Sequence, residues 1–127
     1  IQIEARILGE LSLNHIVPVA IKYQNSLLKN VQGLQAIGLK KDATRAQMKL
    51  IEYIAKHINI IEQNVNNMVD ARKEANKIED ASKKAKAYHD KVYSYFETIR
   101  YSVDKLELVV DNKLWPLPKY REMLFIK

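Results

Sequence analysis

The sequence predicts an all-α chain, an antiparallel bundle of three long helices with a kinked first helix and a short C-terminal helix. Three observations predict it. Apolar residues recur at intervals of three and four over most of the chain, the spacing that gathers them on one face of a helix. Only three Gly and three Pro occur in 127 residues, too few for the many turns of an all-β fold. Hydrophobic residues make up 47% and charged residues 28%, ordinary values for a globular chain, so disorder is not expected. The length suits one domain with one core.

The first segment runs from about Gln2 to Val31. Ile3, Ile7 and Leu11, with Leu8 beside them, form an apolar stripe at helical spacing. Pro18 interrupts it. Proline lacks the backbone donor that would reach the Asn14 carbonyl and its ring clashes there, so a kink is expected. Ile21, Leu28 and Val31 resume the stripe. Gly33 and Gly38 bracket a loop, with Leu34 and Ile37 tucked under it. The second segment opens at Asp42, a residue type that caps helix N-termini. Its stripe is Ile51, Ile54, Ile58, Ile61, Val65 and Met68, alternating three and four as a heptad seam does. The isoleucines favour strand, but a 3.5-residue period held over several turns outweighs that preference.

The third segment starts near Asp80. Ala81, Ala85, Tyr88, Val92, Tyr95, Ile99, Ser102, Leu106 and Val109 keep the alternation, and Phe96, Val103 and Val110 widen the stripe. A widened stripe belongs to a helix inside a bundle. Ala81 and Ala85 would let a neighbour approach closely. Each segment of about 30 residues makes a helix roughly 45 Å long, and short connections make neighbours antiparallel. The tail Leu114-Trp115-Pro116-Leu117-Pro118 is extended by its prolines. Pro118 suits the first turn of a short helix that reaches Phe125. The tail is too apolar to stay free in water. The organisation expected is one domain over residues 1–127: a kinked first helix at 1–32, a helical hairpin at 42–110 and a docked tail at 111–127.

Several function classes drop out. With no cysteine there is no disulfide framework, thiolate metal site or cysteine nucleophile. No stretch approaches the roughly 18 apolar residues of a membrane span, and the charged start is no signal peptide. Beginning at Ile1 inside a helical pattern without a cap, the chain reads as a cut or cleaved piece of a longer one. The net charge of +6 is compatible with nucleic acid, an anionic membrane or an acidic partner, yet Lys83, Lys84 and Lys86 sit beside Glu79 and Asp80 and Lys91 follows Asp90, as on a solvated helix face. No Glu precedes a His by three residues, as a di-iron bundle requires. His15 suits a structural role at the Pro18 kink, beside the freed Asn14 carbonyl. His57 and His89 fit surface or boundary positions. No phosphate loop follows Gly33 or Gly38, and no nucleophile elbow occurs. Asp104, Glu107 and Asp111 are flanked by Lys105 and Lys113 and fit a salt-bridged surface. Tyr88 and Tyr95 fall on the seam; Tyr93 and Tyr101 fall outside it. Gln63, Asn64, Asn66 and Asn67 surround Val65 as an exposed face. The residues alone thus describe a helical bundle with an interaction or structural role.

Particular strings go further. They are Asn14-His15-Ile16-Val17-Pro18, then Ala20-Ile21 and Tyr23-Gln24-Asn25. Arg72, Ala75-Asn76 and Ile78-Glu79-Asp80 follow, then Tyr95-Phe96, Ile99-Arg100-Tyr101 and Val103-Asp104-Lys105-Leu106-Glu107. The tail adds Leu114-Trp115-Pro116-Leu117-Pro118-Lys119-Tyr120-Arg121-Glu122 and Leu124-Phe125. In this order the chain resembles the C-terminal region of type III glutamine synthetases, the long bacterial form. The tail is the most specific part. Residues from about Gly33 to Asn67 match in pattern more than in identity, and Asn112-Lys113 stands where a more acidic pair is expected. The resemblance implies a parent that ligates ammonia to glutamate with ATP and Mg²⁺ or Mn²⁺, in the cytoplasm, as two stacked hexameric rings. Its catalytic groups lie in a β-rich domain whose motifs do not occur here. No catalytic, cofactor-binding or metal residue is therefore assigned to this chain. Its partners would be the rest of the parent chain and neighbouring subunits, with no nucleic acid and no membrane. The competing readings are a stand-alone helical adaptor that binds a partner helix through its seam, and a basic nucleic-acid binder.

Overall fold

Helix α1 (Gln2–Leu11) passes through a π turn at Ser12–Ile16 into α2 (Val17–Ala36). A 3₁₀ turn at Lys41–Thr44 leads to α3 (Arg45–Asn76), and α4 (Ala81–Ala87), a π turn at Tyr88–Val92 and α5 (Ser94–Val109) complete the path. This computed structural model describes residues 2–110. Among them every element is helical, and they form three helices: α1 with α2, α3, and α4 with α5, the last one bent.

The expected interruption at Pro18 is a π turn rather than a break. The Val17 N–H donates to the Ser12 carbonyl five residues back, and Pro18 then occupies the first turn of α2, where a missing donor costs little. The loop expected between Gly33 and Gly38 is corrected. Helix α2 runs past Gly33 to Ala36, and Ile37 is 75% exposed rather than tucked in. The helix stops where Gly38 takes φ +94°. There the Leu39 N–H reaches the Leu34 carbonyl at 3.1 Å and the Gly38 N–H reaches Gln35 at 3.0 Å. That pair of bonds is the Schellman closure, which favours glycine at the left-handed position.

Asp42 is not the cap of α3. It lies in the 3₁₀ turn, where its carboxylate takes the Arg45 guanidinium at 2.7 Å. The buried Thr44 hydroxyl donates back to the Lys41 carbonyl at 3.2 Å. Asp80 does cap its helix, accepting from the Lys83 N–H at 3.0 Å.

The core follows the predicted seams closely in α3 and from Tyr88 onward. Ile54, Ile61, Val65 and Met68 pack with Val92, Phe96, Ile99 and Leu106, and the first helix adds Ile16 and Ala20. Ile51 and Ile58 are half-buried. Ala81 and Ala85 are exposed, against expectation. The π turn between them and the core inserts one residue, which rotates everything upstream by about 100° relative to an unbroken helix. The close helix approach occurs elsewhere, at Gly9, where a Cβ would lie 3.2 Å from Val65 Cγ1.

Side-chain bonds tie the helices in pairs. Gln24 Nε2 donates to the Ile51 carbonyl at 2.9 Å, and Gln47 Nε2 to Asn30 Oδ1 at 3.0 Å. His57 Nδ1 lies 3.0 Å from Ser102 Oγ, and the Tyr88 hydroxyl donates to Asn76 Oδ1. The docked tail and the short C-terminal helix expected at 111–127 lie outside the described residues.

Candidate functional site

Two places combine polar groups with burial. The first is between α3 and α5. His57, expected near the surface, is 3% exposed and Ser102 is 0% exposed. The Tyr53 ring meets the imidazole edge-on, with centroids 4.6 Å apart. Burial lowers the His57 pKa below its ordinary 6.5, and the charges of Lys56 and Lys105 lower it further. The buried imidazole and the Ser102 hydroxyl thus join α3 to α5 across their interface. Sequence reading missed it although Ser102 falls on the predicted seam; a serine there signals a polar partner across the interface.

The second place is an open groove of about 280 Å³ between the N-terminal half of the first helix and the C-terminal half of α3. Gly9 and Leu13 form one wall, and Val65, Met68 and Val69 the other. Arg6, Glu10, Asn14 and Arg72 surround the apolar floor. Among the described residues neither the buried Arg72 Nε nor the buried Ser12 Oγ has a hydrogen-bond partner. A guanidinium donor removed from water without an acceptor is costly.

The remaining predicted positions sort plainly. His15 is exposed and lines a shallow depression with Ile7, Glu10 and Leu11, so it does not serve the Pro18 region. His89 is on the surface, 3.2 Å from Asp90. Tyr88 is buried and Tyr95 half-buried, while Tyr93 and Tyr101 are exposed, as their seam positions predict. Lys105 does not bridge Asp104 or Glu107 among the described residues; its Nζ stands 5.1 Å from the centre of the Tyr101 ring. Gln63, Asn66 and Asn67 are exposed, and Asn64 bonds back to the Ile60 carbonyl. Among the described residues no group of three or more His, Asp or Glu could hold a metal ion, and no helix is long and apolar enough to cross a membrane.

The described residues thus form an all-helical fold with a buried His–Ser pair and an open groove rimmed by Arg6, Glu10, Asn14 and Arg72. Residues 1–35, a span that takes in nearly all of the first helix, match the family described as glutamine synthetase C-terminal domain. Over its whole length the chain is 43% identical to a glutamine synthetase of Bacteroides fragilis (strain YCH46). It is 24% identical to the type-3 glutamine synthetase of Dictyostelium discoideum. The chain spans 18% of the length of each of these relatives. The resemblance read from its strings therefore holds from end to end: the chain is similar to the C-terminal region of type III glutamine synthetases.

Proposed function

We propose that this chain is the non-catalytic helical C-terminal domain of a glutamine synthetase, with a structural and assembly role. The observation that carries the reading is the 43% identity across the whole chain to a glutamine synthetase. The parent transfers the γ-phosphoryl group of ATP to the glutamate γ-carboxylate. Ammonia then displaces phosphate, giving glutamine, ADP and phosphate. Mg²⁺ or Mn²⁺ would serve that chemistry in the parent, and no step of it is assigned to a residue of this chain. The parent would work in the cytoplasm as two stacked hexameric rings.

The three helices run antiparallel in this reading. Gln24 pairs with Ile51 while Asn30 pairs with Gln47, so one number rises as the other falls. His57 with Ser102 and Asn76 with Tyr88 repeat the pattern across the second hairpin. The test is ATP-dependent glutamine formation by the full-length parent, assayed with Mg²⁺ and with Mn²⁺ beside the 127-residue chain alone. Activity in the parent and none in the chain is the expected result. A parent that forms no glutamine overturns the reading.

A further inference from the structure

One side of the first helix is apolar but not covered. Leu13 and Val17 are half-buried against the core, and on the same side Ile21 and Leu28 are 42% and 40% exposed. Their spacing of four, four and seven keeps them on one side of the helix. That side continues the groove, because Leu13 lines it. The facing helix α3 contributes Val65, Met68 and half-buried Val69 to the groove, and the Gln24–Ile51 bond joins the two helices. At one end stands Arg72 with its buried, unpartnered Nε.

We propose that this face is the seat for the catalytic portion of the same polypeptide, resting on the reading of the chain as part of a glutamine synthetase. The segment that docks there presents an apolar side chain to the Leu13–Leu28 side and a carboxylate or carbonyl oxygen to Arg72. Three observations select this occupant. The relatives extend far beyond this chain, which spans 18% of their length, so most of the polypeptide is available to cover the face. The match to the glutamine synthetase C-terminal domain is confined to residues 1–35. Those residues own the uncovered wall, while their other face is already occupied by Ile54, Ile61 and Ile99 of the core. Finally, Arg72 requires an acceptor that no described residue supplies, and the chain's charge of +6 favours an acidic one.

The test uses the full-length enzyme with a photo-crosslinking phenylalanine analogue placed at Ile21, at Leu28 or, as a control, at the exposed Glu97. Glutamine formation is assayed before irradiation. The expected result is an active enzyme in which the Ile21 and Leu28 probes, but not the Glu97 probe, join a peptide of the catalytic portion without doubling the subunit mass. A crosslink to residues 111–127, a doubled subunit mass, or no crosslink from either probe overturns the proposal while the activity stands. Loss of glutamine formation in the unsubstituted parent would instead remove the underlying reading.

Discussion

Among the described residues His57 is the single titratable group whose environment moves it clearly, and it moves in a direction that couples stability to pH. Burial beside Tyr53 and Ser102, with Lys56 and Lys105 near, lowers its pKa below 6.5. The unfolded chain takes up a proton near 6.5 while the folded chain does not, so the unfolded state binds more protons below that value. The contribution is whole above pH 6.5 and is lost as pH falls through the folded value. In urea melts at about pH 7.5 and about pH 5, the wild-type midpoint should fall more than that of His57→Gln. Equal falls would show that the imidazole is not held neutral. Glycines give a second residue-scale test with opposite signs. Gly33 sits in α2 with nothing within 4 Å of an added Cβ, so Gly33→Ala should stabilise by about 0.5–1 kcal/mol. Gly38 has φ +94°, so Gly38→Ala should destabilise by about 1 kcal/mol. Chemical denaturation of the three chains side by side reads both signs.

At the scale of elements, capping and π turns decide where the helices stop and which face they bury. The Asp80 carboxylate satisfies the Lys83 N–H at the start of α4, and α4 buries none of its own residues. Tertiary packing therefore adds little there, and Asp80→Ala should cost about 1 kcal/mol. Asp42→Ala should cost less than half as much, because its partner is an exposed Arg45 and not an orphan backbone donor. Comparable losses would mean that the 3₁₀ turn does not separate Asp42 from the α3 terminus. The same elements show what sequence can reveal. The α3 seam was legible because nothing breaks its period between Arg45 and Asn76. The third seam was legible only after Tyr88, since the π turn offsets Ala81 and Ala85 and no residue type announces an inserted residue. Helix α2 outran its expected end because Gly33 is a weak stop unless the backbone turns left-handed, which happens at Gly38. His57 was misplaced because a one-sided stripe reading leaves out the position beside Ile58, where the α5 face wraps around.

Across the whole molecule, the first helix lies between two dependencies. Its inner face, Ile16 and Ala20 at 0% exposure and Val31 at 5%, is covered by the α3–α5 hairpin. Its outer side, with Ile21 and Leu28, is exposed, and it is the seat proposed above for the remainder of the polypeptide. In the proposed arrangement the hairpin acts on the rest of the parent through the first helix, which it holds in register through the close approach at Gly9 and the Gln24–Ile51 bond. Replacing Asp42 to Val110 with a short loop in the full-length enzyme uncovers Ile16, Ala20 and Val31 to water. Uncovering apolar side chains costs about 25 cal/mol per Å², so the first helix should lose its hold before any reacting group is disturbed. The expected outcome is glutamine formation that survives at low temperature and is lost on heating well below the temperature that inactivates the intact enzyme. An unchanged inactivation temperature would show that the first helix is held by the catalytic portion alone. Complete loss at every temperature would place the hairpin in the active assembly itself. A milder variant separates these cases: His57→Gln keeps the hairpin but weakens its closure, and it should shift the inactivation temperature in the same direction by a smaller amount.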